Sequence, residues 1–279
     1  MKAARFDFQR PATIDEAIRI LREGGGRTKV ISGSQSLGPM LNLRLARPQQ
    51  VVDVSGLPEL RTVREEGGWI RIGAAVTHSE LEDGIYPLLQ GTLIQTVAGG
   101  IAYRGIRNRG TIGGSLAHAD PAADWVLVVV ALGAQVEIAS HSGIRRVDAD
   151  AFMVGAYTTA LAEDDLLTAI WVPKLSSVAR WGYYKLCRKT GEFAEASCAA
   201  VFDGERRLAR IALGALDGAP RLIPHLANQV ARTARRPTPL EIRDAVRSST
   251  QDTDPVTLKL RTACVERCLA QICHSEEQQ

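Results

Sequence analysis

RNRGTIGGSLAHADPAAD, residues 107–124, lies in the most glycine-crowded part of the chain, with Gly99, Gly100, Gly105, Gly110, Gly113 and Gly114 falling close together. A Gly-Gly pair flanked by hydroxyls lets the backbone approach an anion closely, with Thr111 and Ser115 as side-chain donors. Toward the N-terminus a second small-residue loop, Ser32-Gly33-Ser34-Gln35-Ser36-Leu37, follows a short strand predicted over residues 29–32. After it the sequence reads as an apolar helix through Met40, Leu41 and Leu45, stopped by Pro48, and then a strand over residues 51–54. This is a βαβ-like unit with its Gly/Ser turn at the strand's carboxyl end, where α/β folds place ligands. Turned N–H groups and a helix N-terminus favour phosphate there. Taken alone, the loop reads equally well as a plain strand-to-helix turn. Two such loops suit a diphosphate better than a single phosphate, and together they predict a dinucleotide held across a cleft between two subdomains.

Two common phosphate motifs are excluded. Gly33 and Gly38 have P-loop separation, but Pro39-Met40 stands where Lys-Ser/Thr is required. The G-x-G-x-x-G fingerprint fails because Gln35 occupies its middle glycine. The 279 residues carry 34 Lys and Arg against 31 Asp and Glu, a net charge of +3, too balanced for a nucleic-acid binder. The longest apolar run, residues 125–133, is far short of the ~20 residues of a membrane helix. The first seven residues lack the apolar stretch of a secretory signal. A soluble cytoplasmic protein of one large domain or two ordinary ones is the expectation.

The remaining organisation is legible in pieces. Thr13-Ile14-Asp15-Glu16 and Thr77-His78-Ser79-Glu80 read as capping boxes, and residues 24–26 end the first helix. Residues 61–64 and 69–74 alternate around Gly67-Gly68 as a hairpin. Asp120-Pro121 is expected to open a helix that runs through residues 125–132 to Gly133, although its valines would also suit a strand. Residues 173–177 read as a hinge. Beyond it come three meander strands (183–188, 198–202 and 208–213) and helices from Leu222, Leu240 and Val256. The five cysteines, Cys187, Cys198, Cys264, Cys268 and Cys273, form no C-x-x-C pair. Cys264, Cys268 and Cys273 with His274 invite a metal reading. Leu258, Thr262, Val265, Leu269 and Ile272 recur at helical spacing, however, and make packed thiols the better one.

Three stretches, SGSQSLGPMLNLRLARP (32–48), RNRGTIGGSLAHADPAAD (107–124) and YYKLCRKTGEFAEASCAAV (183–201), give the chain a resemblance over nearly its whole length. It resembles the FAD-binding medium subunits of the molybdenum hydroxylases, the group that includes carbon monoxide, xanthine and nicotine dehydrogenases. The resemblance implies an α+β fold: a two-subdomain FAD-binding domain of the vanillyl-alcohol-oxidase (PCMH) type over residues 1–175, divided near residue 55. A C-terminal sheet-and-helix domain over 176–279 completes it. The family's usual first loop is close to Ala-Gly-Gly-x-Ser, and this chain has Ser32 and Ser34 at its first and third positions.

Matched motif to motif, the resemblance implies that Val30, Ile31, Ser32, Gly33, Ser34, Gln35, Ser36 and Leu37, with Thr111, Ile112, Gly113, Gly114 and Ser115, hold the pyrophosphate. Ile101 would be an apolar flavin contact and Asp124 the acidic residue on the cofactor. Leu167 and Lys185 would approach the flavin ring, and Phe193 would cover it. Without the resemblance, Asp124 is a first-turn carboxylate favoured by the helix dipole, Lys185 an exposed strand lysine, and Ile101 and Leu167 core residues. His118 is expected to order its turn. A bulky residue at Gly113 or Gly114 is expected to expel FAD while the fold largely survives.

The sequence holds no iron–sulfur motif and no substrate-oxidising constellation. With the resemblance, this implies an electron carrier with non-covalent FAD, working beside a large molybdopterin subunit and a small [2Fe–2S] subunit, as a dimer of heterotrimers. The alternatives are a stand-alone FAD oxidase or reductase of this fold, and a docking subunit with a degenerate flavin site. Arg104, Arg107 and Arg109 are a candidate exposed docking cluster, a solvated surface being the alternative.

Overall fold

The computed structural model describes residues 2–251 and 254–273, and His274 lies outside them. The first unit runs β1 (Asp7–Gln9), α1 (Ile14–Gly24), β2 (Thr28–Ile31), α2 (Leu37–Asn42) and β3 (Gln50–Asp53). Its strands are all parallel, in the order β1-β3-β2. Thr13 caps α1 by accepting from the Glu16 N–H, but the Glu16 carboxylate takes the amide of Ala12, not that of Thr13, so the expected box is displaced by one residue. Gly25, with φ +53°, closes the helix. Helix α2 is shorter than expected. It ends at Asn42, Arg44 turns left-handed with φ +60°, and Leu45 is exposed outside the helix.

The middle of the chain is built on a five-stranded antiparallel sheet, β4-β5-β10-β6-β7. Strands β4 (Val63–Glu66) and β5 (Trp69–Gly73) are the expected hairpin, turned by Gly67 and Gly68 at φ +58° and +79°. Five helices follow: α3 (His78–Glu82), α4 (Leu93–Gly100), α5 (Arg104–Arg107), α6 (Ile112–His118) and α7 (Asp124–Leu132). Next come β6 (Gln135–Ser140), β7 (Gly143–Asp148), the single turn α8 (Ala149–Phe152), the small pair β8 (Met153–Gly155) and β9 (Thr158–Thr159), and β10 (Leu166–Pro173). Arg71, Thr168 and the Trp171 indole all donate to the buried Glu137, each at 2.8 Å, tying β5, β10 and β6 together. Burial pushes the Glu137 carboxyl up, yet these donors outweigh it and hold it below its ordinary value.

Helix α7 begins at Asp124, not at Pro121. Asp120 makes a turn of its own by accepting from the Ala122 N–H, and Ala123 precedes the helix in extended conformation. Every residue of α7 is buried, which explains why its valines lack a polar face. The helix is enclosed between β10 and the last sheet, and its side chains share one core with Ala199, Val201 and Ala212.

That last sheet is an antiparallel meander of β11 (Arg180–Leu186), β12 (Ala196–Asp203), β13 (Leu208–Gly214) and the short β14 (Arg221–Leu222). Its other side carries α9 (Pro224–Thr233) and α11 (Pro255–Ala270), with α10 (Pro239–Thr250) packed on α11. Leu258, Thr262, Val265 and Leu269 line the buried stripe of α11, with Cys264 and Cys268 fully buried beside it. No metal-holding group of His, Cys, Asp or Glu occurs among the described residues.

Candidate functional site

The two small-residue loops meet. A Cβ on Gly33 would lie 2.0 Å from the Arg109 carbonyl oxygen and 2.7 Å from its carbon, so the loops touch backbone to backbone and only glycine fits. Their backbone amides are placed very differently. In the second loop, Ile112 donates to Val76 at 3.1 Å, Gly113 to Ala74 at 3.0 Å, and Gly114 to the capping Thr111 hydroxyl at 3.1 Å. In the first, the N–H groups of Gly33, Ser34, Gln35 and Ser36 have no acceptor among the described residues. Ser34 sits at φ +65°, the left-handed region that favours glycine, and the Gln35 side chain donates to the Gly33 carbonyl at 3.0 Å.

Gly113 is also a packing residue. Its absent Cβ would fall 2.5 Å from the Ala74 Cβ and 2.7 Å from the Ala74 carbonyl oxygen. It packs α6 onto the turn that follows β5, and valine there would strike the fold. At Gly114, which is exposed, a Cβ would meet only the Thr111 hydroxyl, at 2.8 Å.

Beside the loops opens a cleft of about 330 Å³, lined by Ser32, Gly33, Ser55, Arg61, Ala75, Thr77, Ser79, Glu80, Asn108, Arg109 and Thr111. The box expected at Thr77 is formed. Thr77 accepts from the Glu80 amide, while the Glu80 carboxylate takes the Thr77 N–H at 2.8 Å and hydroxyl at 2.7 Å. The other Glu80 oxygen pairs with Arg61 at 2.5 Å, so the cleft's carboxylate is fully engaged. His78 lies behind Gly110, and burial pushes its imidazole down to about 4. The Ser32 hydroxyl is buried and makes no hydrogen bond.

The other implied residues fall into a second group. Asp124 and Lys185, 61 positions apart, form an ion pair at 2.9 Å with both side chains 9% exposed. Lys185 also donates to the Gly100 carbonyl at 3.1 Å, next to the buried Ile101. Lys185 is thus a buried, paired lysine and not a solvated strand residue. The Tyr183 hydroxyl makes a short hydrogen bond to the same Asp124 oxygen that pairs with Lys185, and Tyr183 escaped the sequence reading. The available signal was its place two residues from Lys185, on the same face of a strand. Leu167 is buried in β10, opposite Ile138 of β6. Phe193 stands 66% exposed on the connection between β11 and β12. That connection touches the α4–α5 turn, because a Cβ on Gly191 (φ +92°) would lie 2.6 Å from the Ala102 carbonyl oxygen.

The basic cluster is largely neutralised. Arg104 binds Asp83 and Glu82 at 2.6 and 2.9 Å, and Arg107 binds Glu82 at 2.7 Å with 11% of its side chain exposed. Arg109 alone of the three lines the cleft. His118 ends α6, its ring 5.3 Å from that of Tyr157.

Residues 4–175 match the family model described as the FAD-binding domain in molybdopterin dehydrogenase. The nicotine 6-hydroxylase medium subunit of Paenarthrobacter nicotinovorans is 38% identical over 229 residues, covering 80% of this chain and 79% of that one. The carbon monoxide dehydrogenase medium chain of Hydrogenophaga pseudoflava is 39% identical over 199 residues, 71% of this chain and 69% of its own. A solved structure of the carbon monoxide dehydrogenase from that organism, lacking the Mo-pyranopterin moiety of its molybdenum cofactor, superposes with a TM-score of 0.86. The identity there is 32%, over 98% of each chain.

Proposed function

The chain belongs to the family of FAD-binding domains of molybdopterin dehydrogenases, and on that premise we propose that it carries electrons within a multi-subunit molybdenum hydroxylase. It is the flavoprotein medium subunit, an oxidoreductase component that binds FAD non-covalently. Electrons reach FAD from [2Fe–2S] clusters of a small partner subunit and leave to an external acceptor. A large molybdopterin subunit oxidises the substrate, and the trio assembles as a dimer of heterotrimers in the cytoplasm. Among the described residues no helix is long and apolar enough to cross a membrane.

The observation that carries the reading is the first loop, which enters the cleft through Ser32 and Gly33 and carries four consecutive amides without acceptors from Gly33 to Ser36. That donor set suits the diphosphate of FAD. In this reading residues 30–37 and 111–115 hold the diphosphate between them, and the Gly33–Arg109 contact keeps the two loops together. FAD, when bound, supplies the redox chemistry. The chain's residues bind and orient it. Asp124 and Lys185, with Ile101 and Leu167, form the buried wall toward the ring, and Phe193 is the exposed aromatic that covers it. The buried ion pair is a fixed dipole, and in a low-dielectric wall such a dipole tunes a neighbouring redox group.

The test uses the purified chain and the complex. The native chain should be yellow, and acid precipitation should release its flavin to the supernatant; colour held in the pellet would refute non-covalent binding. In the complex the substrate should reduce the flavin, and the isolated chain should not respond. Reduction of the isolated chain at the rate of the complex would favour a stand-alone oxidase.

A further inference from the structure

The Ser32 hydroxyl is the one polar side-chain group of the first loop that the fold leaves buried without a partner. Such a group costs free energy, and folded proteins seldom keep one without a reason. No group among the described residues satisfies it. Gly33 is pressed against the Arg109 carbonyl, which fixes the loop, and two of the cleft's polar side chains, Thr111 and Glu80, are engaged elsewhere. Thr111 holds the Gly114 amide, and Glu80 holds Thr77 and Arg61. Ser32 lines the cleft, and the four residues after it in the chain carry the four amides that lack acceptors. A hydroxyl and four N–H groups in five successive residues form a donor-rich set. Its complement is a group rich in acceptors and carrying negative charge.

We propose that Ser32 Oγ is a phosphate ligand, donating to a phosphoryl oxygen of the FAD diphosphate alongside the amides of Gly33 to Ser36. This rests on the flavin reading above and adds to it a side-chain donor specific for phosphate.

The experiment strips the flavin from the full chain and titrates it with FAD and with riboflavin, which has the ring but no phosphate, following the quenching of flavin fluorescence. A hydrogen bond to a charged acceptor predicts that Ser32→Ala weakens FAD binding by roughly tenfold or more and leaves riboflavin binding unchanged. Ser32→Thr, which keeps the hydroxyl, should bind FAD nearly as the wild type does. Two results overturn the proposal while the flavin reading stands: FAD held by Ser32→Ala as tightly as by wild type, or equal loss of both ligands, which would make the serine structural. A wild-type chain that fails to take up FAD overturns the flavin reading itself, and this proposal with it.

Discussion

Replacing Gly33 with alanine tests the contact on which the site is built. The added Cβ would stand 2.0 Å from the Arg109 carbonyl oxygen, with the Gly110 Cα at 2.8 Å, and all its close neighbours are backbone atoms with no rotamer to retreat into. Ordinary contact begins near 3.4 Å, so the loops must part by 3.4 − 2.0, or about 1.4 Å. Overpacking of this kind costs about 1–3 kcal/mol. In a protein of this size each kcal/mol moves the melting midpoint by about 2–4 °C, giving a fall of roughly 2–12 °C. The same displacement separates the free amides of the first loop from the cleft, so FAD affinity should drop at least about tenfold. Gly105→Ala is the control. Its Cβ meets nothing within 4 Å and its φ is not positive, so α5 should be unchanged or gain up to about 1 kcal/mol. Thermal melting by circular dichroism and FAD titration of both variants provide the readout. A Gly33→Ala chain that melts with the wild type and binds FAD equally would refute the loop-to-loop packing.

Three further perturbations follow from the same geometry. Asp124→Asn leaves Lys185 buried without its counter-charge and should cost about 3 kcal/mol in urea denaturation, while Asp124→Asn with Lys185→Met should lose less than the sum of the single changes; strict additivity would deny the pair. His78 takes up a proton at about 4 when folded and 6.5 when unfolded, so its contribution is fully present above pH 6.5 and is lost as pH falls toward 4. Its ceiling is about 3 kcal/mol, and His78→Gln should flatten the midpoint over that window; an unchanged slope would remove His78 as the cause. Under native conditions a maleimide should modify the half-buried Cys187 first and spare Cys198, Cys264 and Cys268, which are fully buried, with burial raising the Cys198 and Cys264 thiols. Early labelling at Cys264 or Cys268 would contradict the packing of α11.

What the sequence by itself determined is mostly local. The Thr77–Glu80 box, the hairpin at Gly67-Gly68, the closing of α1 at Gly25 and the buried stripe of α11 depend on residues one to four positions apart. Such signals are complete within a short window. The two loops were legible as a pair because their small residues and hydroxyls are rare in an ordinary core, and the family pattern joined them. Strand β10 was not singled out, since it is buried over most of its length in the centre of its sheet and shows no alternation. The start of α7 was misplaced because Asp120-Pro121 suits a turn as well as a helix entry. Only the tertiary structure decided the rest. It set the Gly113 packing on Ala74, the engagement of Arg104 and Arg107 by Glu82 and Asp83, and the closing of Asp124, Lys185 and Tyr183 into one buried group. It also decided which loop keeps its amides free. Gly113 and Gly114 resemble Gly33 in sequence, but the turn after β5, through Ala74 and Val76, lies against the second loop and takes the Ile112 and Gly113 amides, while nothing comparable reaches the first. A hydrogen bond to a distant turn has no local signature, and that is why the difference between the two loops' amides became visible only in three dimensions.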